Sequence, residues 1–164
     1  MLLTFIKKLK NFFTKGNSKS SNLLNSKESN TLIPLFNSPQ QLQTKEQLNA
    51  DELKYLMETQ KVMILDVRTP KEFKLYHING AYNLPIGDLS YEKLVDLKQA
   101  KGFNGNIVVT YCNAGGRGGK SFTLLKNQQL SQTKDNNSSL NEQLQIKNLT
   151  HGINEWINKG NLYN

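Results

Sequence analysis

The stretch best equipped for chemistry is Tyr111-Cys112-Asn113-Ala114-Gly115-Gly116-Arg117-Gly118-Gly119-Lys120-Ser121. Cys112 is the single cysteine of 164 residues, and Arg117 is one of only two arginines. Glycines let a loop curl until successive backbone N–H groups point inward and form an anion nest. A helix starting directly after such a loop adds unpaired donors and partial positive charge. An arginine adds a full charge on a planar fork. These surroundings favour thiolate over thiol, whereas an ordinary free cysteine is only about 3% ionised at pH 7. The expected chemistry is therefore nucleophilic attack by sulfur beside an anion-binding cradle. A small buried cysteine in a tight turn is the plainer alternative, but it leaves the crowded glycines and the rare arginine unexplained. A relaxed phosphate-binding pattern, Ala114-x4-Gly119-Lys120-Ser121, is the weaker rival. Its first glycine is missing, and the apolar strand that would carry its acid, Val62 to Asp66, lies upstream of it.

Several elements must position this loop. Ile107-Val108-Val109-Thr110-Tyr111 is a continuous apolar run of buried-strand length, and it delivers Cys112 at its end. A helix is expected from about Gly119 to Gln128. Val62-Met63-Ile64-Leu65 reads as a second buried strand. Thr69-Pro70-Lys71-Glu72 follows it as a capping box with proline at the first helical position. Asn49-Ala50-Asp51-Glu52 marks another helix start, and Ala81–Leu84 a short strand. Residues 90–100 read as a helix, 144–149 as a strand and 152–158 as a last helix. Residues 129–143, polar and of low complexity, read as an inserted loop. The expected class is α/β: a small parallel sheet flanked by helices on both faces, with a disordered or helical basic N-terminal extension.

Charge and cysteine count remove several function classes. The net charge of +8 is lopsided: residues 1–27 carry six lysines and no acid, so the remainder is nearly neutral. Such a balance gives no case for nucleic-acid binding, which needs a clustered basic face. One cysteine excludes an internal disulfide and a cysteine-based zinc site. With two histidines, no metal site and no cofactor are expected. The division expected is a basic leader and polar linker over 1–43 and a folded domain over 44–164. In residues 1–16, Leu2, Phe5, Ile6, Leu9, Phe12 and Phe13 share one helical face. A mitochondrial-type leader, a helix lying on a membrane surface and a frayed tail all fit, the first because leaders are acid-poor and amphipathic. A cytoplasmic location is the alternative to the mitochondrial one.

From residue 46 to 160 the sequence resembles the rhodanese family of sulfurtransferases. Leu65-Asp66-Val67-Arg68-Thr69-Pro70-Lys71-Glu72-Phe73 is similar to its Asp-x-Arg-x-x-x-Glu-Phe signature. His77-Ile78-Asn79-Gly80-Ala81-Tyr82-Asn83-Leu84-Pro85 is similar to its His-Ile-x-Gly-Ala-x-Asn-Ile-Pro stretch. Cys112-x4-Arg117 matches its active-site loop, and Leu149-x-x-Gly152-Ile153-x-x-Trp156 its closing motif. The Cys-Asn-Ala-Gly opening is most like small single-domain thiosulfate sulfurtransferases of the phage-shock type. Related phosphatases of this fold carry five residues between cysteine and arginine; here there are four. The resemblance implies that Cys112 takes a sulfane sulfur from thiosulfate or another persulfide donor and passes it to cyanide or a thiol. Backbone N–H groups of Asn113, Ala114, Gly115, Gly116 and Gly118 would stabilise the negative sulfur, and Arg117 would assist the anionic donor. Asp66, Arg68, Glu72 and His77 would be structural support, with Arg68 and Glu72 as an ion pair. A monomer is expected.

Three positions depart from the family pattern. Gly118 stands where Ser or Thr is frequent, so a hydroxyl near the sulfur is lost. Tyr76 stands where glycine commonly precedes the histidine, and His151 where the closing motif usually has glycine. A non-catalytic binding module and a phosphatase or arsenate reductase on the same scaffold are the competing functions.

Overall fold

The computed structural model describes residues 39–135 and 143–164. The amphipathic start and most of the polar linker lie outside the described residues. The elements run α1 (Pro39–Thr44), β1 (Gln47–Leu48), α2 (Ala50–Thr59), β2 (Val62–Asp66), α3 (Pro70–Leu75), β3 (Tyr82–Asn83), α4 (Tyr91–Ala100), β4 (Ile107–Tyr111), α5 (Gly116–Asp135), β5 (Gln145–Leu149) and α6 (Gly152–Asn158). The five strands form one parallel sheet in the order β1-β5-β4-β2-β3.

Side-chain alternation divides the core between the two faces of the sheet. Ile64, Ile107, Val109 and Tyr111 pack with Leu53 and Leu56 of α2 and Ile153 and Trp156 of α6. Met63, Leu65 and Val108 pack on the other face with Leu94 of α4 and Leu125 of α5. Burial on both faces is why β2 and β4 read as unbroken apolar runs rather than alternating ones. Both expected capping boxes form. Asn49 and Thr69 each accept from the N–H three residues on, and Glu52 and Glu72 return the bond.

Two readings of the chain are corrected. Residues 129–135 are not loop: α5 begins at Gly116, three residues earlier than expected, and runs on to Asp135. Within this extension Gln129 is buried and donates to the Leu144 carbonyl at 3.1 Å. The segment around α1 also packs. Leu42 is buried, and the ammonium of buried Lys147 on β5 donates to the carbonyls of Leu42, Gln43 and Lys45 at 2.7–3.0 Å. Burial pulls the Lys147 pKa down, but three carbonyls fill its three donor positions.

Candidate active site

β4 and α5 present Cys112 and Arg117 at the carboxyl edge of the sheet, where ligands bind in open α/β folds. Cys112 is buried, and its Sγ accepts from the Gly115 N–H at 3.2 Å. The loop between them is turned so that its first carbonyls face away from the sulfur. The Cys112 carbonyl accepts from Ile153 N–H at 2.9 Å and the Asn113 carbonyl from Asn154 N–H at 3.1 Å. The first turn of α6 is thus satisfied by the loop it braces. Gly152 makes this closeness possible: its φ is +61°, and a Cβ there would collide with the Cys112 carbonyl oxygen and come within 2.6 Å of that of Asn113. Gly115, at φ +97°, likewise passes so near the Thr150 carbonyl that no Cβ fits. At the other end the N–H groups of Gly116, Arg117 and Gly118 fall in the first turn of α5, where a helix offers them no acceptor.

Arg117 is held by Glu72 of α3. Nη1 donates to Oε2 at 2.8 Å and Nη2 to Oε1 at 2.6 Å. Those bonds hold the Glu72 carboxyl down at about 2 and push the Arg117 pKa up. Glu72 also accepts from the N–H and hydroxyl of Thr69. One carboxylate therefore caps α3 and aims the guanidinium.

Beneath the loop, Asp66 and Arg68 are fully buried. Nε and Nη2 of Arg68 reach the Asp66 carboxylate at 2.7–3.0 Å, and Nη2 also donates to the Tyr76 carbonyl at 2.6 Å. Burial opposes the Arg68 charge, but the Asp66 hydrogen bond and carboxylate outweigh it and raise its pKa. The expected Arg68–Glu72 pair is therefore corrected: each finds another partner. Asp66 is two residues from Arg68 in the same buried corner, whereas Glu72 faces outward to Arg117. Burial, followed by the adjoining Asp66 charge, pushes the Tyr111 phenol well above its ordinary value.

A sequence model described as a rhodanese-like domain matches residues 49–159. The chain belongs to that family. The solved structure of a rhodanese-related protein from Thermoplasma volcanium is 25% identical, with a TM-score of 0.53, covering 73% of this chain and 97% of that one. A thiosulfate sulfurtransferase from Pseudomonas aeruginosa matches at 19% identity and TM-score 0.50, over 73% of this chain and 20% of its own. An As–Sb reductase from Leishmania major matches at 17% identity and TM-score 0.52, over 70% and 79%. At those identities the last two show a shared fold. No curated protein matches the chain in sequence.

In this rhodanese-like domain the four quoted motifs meet at one place. His77 stacks on Phe73 at 3.9 Å, and its Nδ1 lies 2.9 Å from the Phe73 carbonyl. The place a side chain at 118 would occupy is already filled: a Cβ on Gly118 would lie 2.7 Å from Oδ1 of Asn148. His151 lines a groove of about 480 Å³ that opens on Ala114 and runs along α6 past Asn154 and Asn158. Sequence reasoning missed two contacts, Glu72 with Arg117 and Tyr76 with Asn113, whose partners stand 45 and 37 residues apart. The capping-box glutamate was visible, but not that its far face turns to the loop.

Proposed function

We propose that the protein is a sulfurtransferase that carries a sulfane sulfur on Cys112. The observation that carries this reading is the four-residue cradle in which Gly115 N–H donates to Cys112 Sγ. Such a donor, with the unpaired amides of the first turn of α5, stabilises negative charge on the sulfur and on an added outer sulfur. Arg117 keeps its Nε–H and one hydrogen on each terminal nitrogen for an oxyanion after serving Glu72.

The first half-reaction is attack of the Cys112 thiolate on the outer sulfur of thiosulfate. An S–S bond forms to Cys112, the S–S bond of thiosulfate breaks, and sulfite leaves with the electron pair. In the second, cyanide or a thiolate attacks the outer sulfur of the persulfide, and the pair returns to Cys112. No redox cofactor is needed. Ping-pong kinetics follow from the shared covalent intermediate. Because Cys112 is the sole cysteine, any thiol acceptor must come from another molecule.

The deciding experiment is intact mass after incubation with thiosulfate. A gain of one sulfur atom, absent from Cys112→Ala, is expected. Folded protein with no adduct would overturn the proposal. The short cradle also predicts no hydrolysis of a small aryl phosphate.

A further inference from the structure

Tyr76 has no role in the chemistry above, yet it touches the loop beside the nucleophile. Its hydroxyl donates to Oδ1 of Asn113 at 3.2 Å. The rest of the residue is held on three sides. Its carbonyl accepts from Arg68 Nη2, and the Arg68 guanidinium lies 4.9 Å from its ring centre. Tyr163 meets that ring edge-on at 6.3 Å. Tyr163 is itself tied down: it bridges Ile78, and His77 and Asn164 exchange both backbone bonds at 2.8 Å. Asn113 is fixed from the other side by the Asn154 N–H on its carbonyl.

A side-chain amide has an acceptor end and a donor end. The hydroxyl of Tyr76 engages the oxygen, which decides the direction of the nitrogen. That nitrogen has no acceptor among the described residues, and Asn113 is partly exposed immediately after Cys112. Position 118 carries no side chain, and a Cβ there would lie 2.7 Å from Asn148 Oδ1.

We propose that Tyr76 is a positioning residue that fixes the Asn113 amide as a donor to the anionic oxygens of the sulfur donor. The kinetic part rests on the sulfurtransferase reading, and the binding part does not.

Steady-state kinetics of Tyr76→Phe, Asn113→Ala and the double variant test the first part. Each single change raises KM for thiosulfate about five-fold, the effect of one hydrogen bond, and the double variant is no worse than Asn113→Ala. Discharge of preformed persulfide by cyanide changes less than two-fold, and so does kcat. Equal slowing of both half-reactions together with a lowered Tm, or additive losses, would show a merely structural role and overturn the proposal. The second part uses Cys112→Ser protein, which cannot turn over. Thiosulfate shifts the Asn113 side-chain amide resonances in its NMR spectrum, and adding Tyr76→Phe weakens that response about five-fold. No shift, or an equal response with and without the hydroxyl, would overturn it. Should the wild type form no persulfide, the sulfurtransferase reading fails, and the NMR titration still decides the role of Tyr76.

Discussion

Glu72 and Arg117 meet as two parallel forks, with Nη1 on Oε2 at 2.8 Å and Nη2 on Oε1 at 2.6 Å. The arginine of the cradle is therefore not a loose cation. Its plane is set by a carboxylate whose own position is set by the first turn of α3. Fork-to-fork pairing fixes direction as well as distance, and it leaves three N–H groups of Arg117 turned elsewhere.

Glu72→Gln separates aim from charge. The amide still accepts from Thr69 but can receive only one bond from Arg117. The expected result is a ten-fold or larger fall in kcat/KM for thiosulfate, read as persulfide formation under single turnover. Global stability in urea should fall by only about 1 kcal/mol, since part of a cap and a partly exposed ion pair are lost. A variant with unchanged kcat/KM would remove Glu72 from the site.

The same pair fixes a pH window. The Glu72 carboxyl sits at about 2 in the folded protein, below its ordinary value of 4.5. A depressed acid adds stability above its unfolded pKa and loses it as pH falls through the folded one. The stability gap between wild type and Glu72→Gln should accordingly be flat from pH 5 to 8 and close on acidification from about pH 4.5 to about pH 2. Urea titrations across that range check it. A gap that closes near neutrality would contradict the assignment.

Much of this was legible from local pattern. β4 and α6 lie where apolar periodicity put them, and both capping boxes formed, because such signals act within one turn or one strand. What stayed hidden was which groups the packed fold buries together. Arg68 takes Asp66, two residues away, because both are buried in one corner while Glu72 faces outward to Arg117. Residues 129–135 lack an apolar stripe, yet Gln129 secures them through a carbonyl and a phenol across the fold. Nothing in its local sequence marks Lys147, and only the packed fold shows it gathering three carbonyls.

Asp66 and Arg68 form a charged pair with no access to water. Removing one partner strands the other, which costs about 3–5 kcal/mol. Arg68→Met should therefore lower stability by that amount in urea denaturation. Asp66→Asn should do the same, because Arg68 then loses its counter-charge while remaining buried. The double change to residues of similar volume should cost less than the sum of the two. Simple additivity would show that the pair is not coupled.

Gly118 and Asn148 compete for one space. A Cβ at 118 would sit 2.7 Å from Asn148 Oδ1 and 3.3 Å from the Cys112 nitrogen. Oδ1 is buried with no hydrogen-bond partner among the described residues, whereas Nδ2 donates to Gln47 Oε1 at 2.9 Å. Restoring a hydroxyl with Gly118→Ser should thus cost about 1–3 kcal/mol by overpacking and slow persulfide formation by shifting the backbone of Cys112. Asn148→Ala removes the nearest obstruction, so in the double variant the stability cost of the serine should shrink to what the Cys112 and Tyr111 backbone contacts at 3.3 Å impose. Chemical denaturation of the four-member cycle would give a coupling of at least 1 kcal/mol if the two side chains claim one site. A coupling near zero would mean that the loop absorbs a side chain at 118 without disturbing Asn148.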